Sequence, residues 1–262
     1  MEAKKAKKNK VRGIKNAFIV IIICFIVALV VFTQVLGAPE NFEGGDPAGG
    51  HPLNLLGTIY KGGFIVPILQ TLLLTVIVLS VERFIAMLSV KGKGNTNKFI
   101  AAVKAALEKG DVEAAKDIAR NTRGPIASIY YQGLMRIDQG IDVVEKSVVS
   151  YGGVQAGYLE KGCSWITLFI AMAPSLGFLG TVIGMVQAFD KIQQVGDISP
   201  TVVAGGMKVA LITTIFGLIV ALILQVFYNY VLSKIEALTS EMEDSSISLL
   251  DMVIKYDLKY KK

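Results

Sequence analysis

The side chains best placed to do chemistry in the apolar part of this sequence are hydroxyls. Thr181, Thr213 and Thr214 lie in two long apolar segments near the C-terminal end. A threonine carries no proton charge at physiological pH, but its hydroxyl can hydrogen-bond water or a carboxylate. Threonines in membrane helices also commonly bond the carbonyl four residues earlier. The three residues therefore indicate either a polar passage or ordinary helix structure.

Acidic residues are missing from the middle of every apolar segment, and Glu82, Glu160 and Asp190 lie near segment ends. A proton path needs a group near the bilayer midplane that binds and releases protons, and carboxylates usually supply it. If protons pass, the carboxylate must therefore come from another chain.

Two charged residues near segment ends are open to two interpretations each. Lys208 would extend to the outer interface, because a lysine inside a membrane is costly unless it does so or pairs; the alternative is a pore-mouth charge that pairs with a partner carboxylate. Glu82, followed by Arg83, is most simply an interfacial anchor at a span's end; the family resemblance given below implies instead that it holds a helix end or lies at a cytoplasmic ion exit. Both are candidate ion entry or exit residues.

Small residues share a face with these hydroxyls. Gly180 and Gly184 form a small-x-x-x-small pair, and Gly177 and Gly217 fall on the faces of Thr181 and Thr214. Lipid gives helices no hydrophobic reason to associate, so small residues that let backbones approach indicate helix packing. These faces are expected to meet protein or water.

Composition indicates an integral membrane protein. Of the 262 residues 53% are hydrophobic, and the mean hydropathy is +0.55. The net charge of +6 is concentrated beside apolar segments, so no nucleic-acid role is predicted. Cys24 and Cys163 lack metal spacing, His51 is the single histidine, and no nucleophile–base pair, P-loop or dinucleotide glycine motif occurs. The sequence predicts no enzyme, cofactor or metal.

Four apolar segments are long enough to cross a bilayer, so the predicted fold class is all-α with four transmembrane helices and long helices that extend into the cytoplasm. The first segment is expected to be a retained helix, with a cleaved signal peptide as the alternative. Lys and Arg are frequent in the two tails and in the large polar segment, and rare in the two short loops, so the positive-inside rule places both termini in the cytoplasm. The predicted segments are a basic tail (1–16), an extra N-terminal span (17–36), a periplasmic loop (37–63), a span (64–84), a cytoplasmic helical domain (85–163), a span (164–189), a periplasmic loop (190–201), a span (202–232) and a cytoplasmic helical tail (233–262).

Within residues 85–163 the sequence predicts four helices. Asn97 and Asp111 are expected to cap the first two, and a third is expected over 126–138. The fourth is expected to begin near Asp142 and to run into the third span without a break. The loop over 37–62 is expected to be irregular, because it is rich in Gly and Pro.

Two motifs in the last two spans resemble the MotA/TolQ/ExbB proton-channel family, on its ExbB/TolQ side. They comprise Ala173, Pro174, the stretch 177–184 and Phe189, followed by the stretch 210–218, Tyr228 and Asn229. The resemblance implies a three-span core, here with an extra N-terminal span. It also implies a homopentameric ring around a dimer of an ExbD/TolR-like single-span partner that supplies an aspartate. Thr181 and Thr214 would face that partner or the surrounding waters. Some relatives have a glutamate where this chain has Val209.

The function implied by the resemblance is that of a proton-channel and stator subunit in the bacterial inner membrane. It would use the proton motive force to energise a TonB-like or TolA-like protein for outer-membrane transport or maintenance. Two alternatives stay open: a non-conducting membrane scaffold, whose threonine faces only pack helices, and a gliding or flagellar-type stator.

Overall fold

The computed structural model describes residues 17–90, 96–196 and 199–260 of the chain, so the predicted basic tail lies outside the described residues. The described part is built of helices joined by short connections. The α-helices are α1 (Ala17–Val30), α2 (Leu55–Tyr60), α3 (Ile65–Val90), α4 (Thr96–Glu108), α5 (Val112–Asn121), α6 (Pro125–Leu134), α7 (Ile141–Glu160), α8 (Cys163–Val195) and α9 (Pro200–Tyr260).

Four of the described helical segments are long and apolar enough to cross a bilayer, and they begin at Phe18, Ile65, Cys163 and Val203. A helix pairs its own backbone groups, which lipid cannot do, so long apolar runs adopt this structure. The predicted fold class, an all-α membrane protein with four spans, is confirmed. The assignment of segments to the two sides of the membrane stays a prediction.

The chain divides into two compact units. The membrane unit comprises residues 17–81 and 162–229, and the amphipathic unit comprises residues 82–161 and 230–260. The core of the membrane unit is a row of α3 side chains at helical spacing, which packs against α8 and α9. The row consists of Ile65, Leu69, Leu72, Val76 and Leu79, and its partners include Ile166, Phe169, Val220 and Leu224. At one end, the Phe18 ring of α1 lies edge-on to Trp165 of α8, with the ring centroids 5.6 Å apart.

The connection between α1 and α3 is more ordered than predicted. After a π-helical turn (Val31–Leu36), two 3-10 turns and α2 replace the expected irregular loop. The Asn41 side chain donates to the carbonyls of Val35 and Leu36 at 2.7 and 3.0 Å, and Asn54 donates to Asn41 Oδ1 at 2.7 Å. The Tyr60 ring stacks on the Phe32 ring, with the ring centroids 4.7 Å apart. These contacts hold α2 against the end of the first span.

The amphipathic unit confirms the Asp111 cap, whose carboxylate accepts from the Ala114 amide at 2.9 Å. The predicted Asn97 cap is wrong, because α4 begins at Thr96 and includes Asn97. The third helix is shorter than predicted: α6 ends at Leu134, and a separate 3-10 turn follows (Ile137–Gln139). Gly133 of α6 lies against Val144 and Val148 of α7 and Leu249 of α9, and this contact forms part of the core.

The predicted continuity of the fourth helix with the third span is wrong. The helix α7 ends at Glu160, Lys161 leaves helical geometry with ψ at 121°, and Gly162 takes φ of 94°. The α8 helix then starts at Cys163 and continues to Val195, so most of the loop predicted at 190–201 is helical. Gly196, at φ of 71°, ends α8 by donating its amide to the Ile192 carbonyl at 2.8 Å.

Candidate functional site

The backbones of α8 and α9 come into contact along a seam of small residues within the membrane unit. A methyl group added at Gly184 would lie 2.6 Å from the Gly206 carbonyl oxygen, and one added at Gly217 would lie 2.8 Å from the Ala173 carbonyl oxygen. Real side chains do not tolerate such distances, so glycine is required at both positions. The seam contains all four glycines predicted to pack helices, Gly177, Gly180, Gly184 and Gly217.

A pair of hydroxyls lies within the seam. Thr181 of α8 and Thr214 of α9 hydrogen-bond each other through their Oγ1 atoms, and either atom can be the donor. Thr214 Oγ1 also lies 3.2 Å from the Ala210 carbonyl and 3.3 Å from that of Gly177, and Thr181 Oγ1 lies 3.3 Å from the Gly177 carbonyl. Both side chains are half-buried in one chain, so the pair retains an accessible side.

Thr213 differs from its neighbour. Its side chain is fully buried and faces Gly180 of α8. Its hydroxyl donates within its own helix, with the Val209 and Ala210 carbonyls both at 2.9 Å. Successive helix residues point about 100° apart, which separates the two adjacent threonines. Thr213 therefore packs the seam, and the pathway role proposed below is limited to Thr181 and Thr214.

The two candidate ion entry or exit residues, Lys208 and Glu82, belong to different units of the chain. Lys208 is half-buried two turns before Thr214 and lines an apolar groove. Glu82 belongs to the amphipathic unit and holds Arg83 in a two-pronged ion pair of 2.7 and 2.9 Å. The Arg83 side chain is 6% exposed and that of Glu82 is 19% exposed, which favours a fixed structural pair.

The sequence interpretation missed one residue of the site and one set of polar atoms on α3 of the membrane unit. The first is Gly206, which opposes Gly184 and Ala188 across the seam; its spacing of four residues from Ala210 could have indicated it. The second is a set of buried side-chain atoms on α3 that have no hydrogen-bond partner among the described residues, Gln70 Oε1, Thr75 Oγ1 and Ser80 Oγ. Among the described residues, no group of His, Cys, Asp and Glu side chains could hold a metal ion.

Comparison with known proteins identifies the class of protein to which this site belongs. Residues 121–244 match the MotA/TolQ/ExbB proton channel family. The chain is 30% identical over 189 residues to a putative biopolymer transport protein ExbB homolog of Methanothermobacter thermautotrophicus. This match covers 70% of the chain and 66% of the relative. A shorter match of 68 residues is 38% identical to biopolymer transport protein exbB1 of Vibrio cholerae and covers 30% of that protein. Another, of 93 residues, is 30% identical to biopolymer transport protein ExbB of Salmonella typhimurium and covers 38% of that protein.

The chain therefore belongs to the MotA/TolQ/ExbB proton channel family, and it is similar to the ExbB members. The family match covers α6 to α8 and most of α9, and it includes both threonines of the pair. The chain spans about two thirds of the first of these relatives and about a third of the other two.

Proposed function

We propose that this chain is the ring subunit of an ion-driven membrane motor. In this proposal, Thr181 and Thr214 form the surface on which a partner's intramembrane carboxylate gives up and regains its proton. The observation that carries the proposal is the hydroxyl pair itself: two half-buried threonines bond across glycine-packed helices, in spans whose middle parts contain no acid.

The number of hydroxyl protons makes the pair suitable for this role. Each threonine has one proton to donate and two lone pairs to accept. If Thr181 donates to Thr214, Thr214 can donate to the Ala210 carbonyl, and free lone pairs remain to accept a hydrogen bond from a protonated acid. If one hydroxyl rotates, it can instead donate to the ionised carboxylate. The same two residues can therefore bind both protonation states.

The partner in this proposal is a dimer of a short single-span protein, with an intramembrane aspartate, inside a pentameric ring of this chain. Protons that move down their gradient would drive the dimer against the ring in the inner membrane, with both termini of the chain in the cytoplasm. That motion would energise a TonB-like or TolA-like protein. Membership of the family and the similarity to biopolymer transport proteins ExbB support this proposal.

The test is proton flux into liposomes that contain the chain and such a single-span protein. Thr181→Val and Thr214→Val keep the shape of each side chain and remove its hydroxyl. We expect each variant to lower flux about tenfold or more, because a hydrogen bond to a charged group contributes about 1.5–3 kcal/mol and each 1.4 kcal/mol is a factor of ten in rate.

The matched control is Thr213→Val, which removes a neighbouring hydroxyl whose hydrogen bonds to described residues lie within α9. The flux of this variant should equal that of the wild type. Equal flux in all three variants, with normal assembly, would contradict the pathway role of the pair. Absence of proton flux with the wild-type chain as well would contradict the proposed motor function.

The second candidate function is a non-conducting scaffold. It is favoured by the carbonyl contacts of the pair, since Thr181 and Thr214 both lie within hydrogen-bonding distance of the carbonyl four residues earlier, as packing threonines do. A scaffold predicts that both valine variants weaken oligomer stability and that no variant conducts. Size-exclusion chromatography with light scattering, run beside the flux assay, distinguishes the two functions.

A further inference from the structure

A shallow groove of about 560 Å³ lies beside the first three turns of α9 in the membrane unit. Its walls are nearly all apolar, and Lys208 is the charged residue among the described residues that line it. The groove is bordered by Thr58 of α2 and by Val203, Ala204, Met207, Lys208 and Leu211 of α9. The proposed motor assigns no role to the side chains of this groove.

The Lys208 ammonium group has no acidic partner within the described part of the chain. Lys61, near the same end of the spans, is by contrast occupied, because its Nζ donates to the carbonyls of Pro47 and Ala48 at 3.0 and 2.9 Å. The Thr58 hydroxyl donates to the Asn54 carbonyl at 2.9 Å. Lys208 is therefore the donor at this groove that is available to an anion.

The depth of Lys208 suits a lipid headgroup. The apolar part of α9 begins at Val203, so the Cα atom of Lys208 lies about 8 Å inside it at a rise of about 1.5 Å per residue. Side chains on a helix lean toward its N-terminus, and a lysine can extend its stem along apolar surface to place the ammonium at the interface. The charge can thus reach the phosphate level while the stem stays in the groove.

An apolar track continues along α9 from Lys208. Leu211, Ile215 and Leu222 lie on the same side of the helix and are 60%, 58% and 69% exposed. The helix rises about 21 Å from Lys208 to Leu222, which exceeds the depth of one leaflet's hydrocarbon, about 15 Å. One cation above an apolar track of this length matches a phosphate joined to an acyl chain.

We propose that this groove binds an anionic phospholipid of the bilayer, with its phosphate on Lys208 and one acyl chain along Leu211 and Ile215. Charge complementarity favours this occupant: Lys208 has no acidic partner among the described residues, and anionic lipids are attracted to lysines at the membrane surface. The lipid would be a fixed component of the chain at this end of the spans.

The test uses nanodiscs of phosphatidylcholine and phosphatidylglycerol that contain a trace of either lipid with a photoreactive diazirine in its acyl chain. Peptide mass spectrometry then locates the cross-links on the purified chain. We expect the phosphatidylglycerol probe to label residues 203–222, and Lys208→Gln to lower that labelling about fivefold, the effect of one lysine near an anionic surface.

The matched control is Lys191→Gln. Lys191 carries the same charge as Lys208 and lies near the C-terminal end of α8. Its Nζ lies beside Gly205 of α9, and the residue does not line the groove. We expect this variant to be labelled like the wild type. Lys208→Arg should keep the labelling, which separates loss of charge from loss of fold, and Ala204→Leu, which fills the groove with the charge intact, should lower it.

Three results would overturn the proposal. Equal labelling by the phosphatidylcholine and phosphatidylglycerol probes, or labelling unaffected by Lys208→Gln, would mean that the groove has no anionic selectivity. Residues 203–222 protected from both probes, with cross-links to a second copy or to the single-span protein instead, would mean that protein covers the groove.

Discussion

The adjacent threonines of α9, Thr213 and Thr214, show that the direction of a side chain decides which groups its hydroxyl can contact. Thr213 points into the seam and is fully buried, whereas Thr214 reaches Thr181 and stays half exposed. The residue type and the apolar context are the same for both. Only the register of α9 against α8 separates a packing hydroxyl from one that can meet another molecule, and the proposed function depends on that register.

Tyr130 carries a prediction at the residue scale. It is fully buried in the amphipathic unit, packs edge-on against Phe99, and its hydroxyl has no hydrogen-bond partner among the described residues. Burial raises the pKa of this phenol well above its ordinary value of 10. The folded chain therefore keeps the proton at pH values where the unfolded chain loses it, so this group destabilises the fold progressively as the pH rises above 10.

We expect Tyr130→Phe to equal or exceed the wild type in stability at pH 8, since an unpartnered buried hydroxyl is removed. Between pH 10 and 11 the difference should grow by about 1 kcal/mol, because the unfolded phenol is already half ionised at pH 10 and a full proton per pH unit corresponds to about 1.4 kcal/mol. Thermal unfolding in detergent between pH 8 and 11 measures it. The control is Tyr131→Phe, which should keep the wild-type pH dependence of stability because Tyr130 remains. Stability curves that run parallel from pH 8 to 11 for the wild type and Tyr130→Phe would refute the prediction.

The sequence predicts which residues share a face of the site where residue type and helical spacing alone determine it. Thr181, Thr214 and the glycines follow helical spacing within apolar runs, and such spacing places them on one face. The burial of Thr213 was not predictable, because it depends on Gly180, 33 residues earlier in the chain. The role of Asn97 was mistaken because α4 begins one residue before it.

At the scale of elements, the seam between α8 and α9 is the feature that positions the hydroxyl pair. Two adjacent glycines of α9 provide a test. A methyl group on Gly206 would lie 2.7 Å from Ala188 Cβ and 2.8 Å from its amide nitrogen, whereas one on Gly205 would lie 3.6 Å from the flexible end of Lys191. The two substitutions to alanine differ in packing and share the same change in helix propensity.

We expect Gly206→Ala to destabilise the chain by about 1–3 kcal/mol, the cost of overpacking a close contact. Gly205→Ala should be neutral or stabilising by up to about 1 kcal/mol, because alanine favours a helix. Thermal denaturation in detergent compares the two variants with the wild type. If both variants unfolded at the same temperature, the close approach of the backbones at Gly206 would be disproved.

Elements were predicted best where the bilayer imposes them. Each span needs about 20 apolar residues, and that pattern is local in the sequence. The connection over 37–62 looked irregular because its order rests on Asn54 meeting Asn41 and on Tyr60 meeting Phe32, contacts between separated residues. The break at Gly162 was missed because helical residues continue on both sides of it.

At the scale of the whole molecule, the arrangement of lysines and arginines predicts which segments lie on which side of the membrane. The test uses two exposed positions, Ala48 in the first connection and Ser150 on α7. The natural cysteines, Cys24 and Cys163, are buried, so the unaltered chain is the background control. Each position is changed to cysteine and exposed to a membrane-impermeant maleimide on right-side-out spheroplasts.

We expect Ala48→Cys to be labelled at once and Ser150→Cys only after permeabilisation, because positively charged segments stay in the cytoplasm. Labelling in the opposite order would invert the proposed orientation. It would also place the groove that contains Lys208 in the other leaflet.

The short connection between α8 and α9 has a consequence for biogenesis. Four residues, 196–199, separate the two helices, so the seam closes a small loop, and closing a small loop costs little chain entropy. These two spans can therefore fold as a hairpin soon after they enter the bilayer, before they pack on α3. Defects in the seam would then appear first as a lower yield of inserted protein, whereas loss of the hydroxyl pair would leave normal amounts of an inactive one.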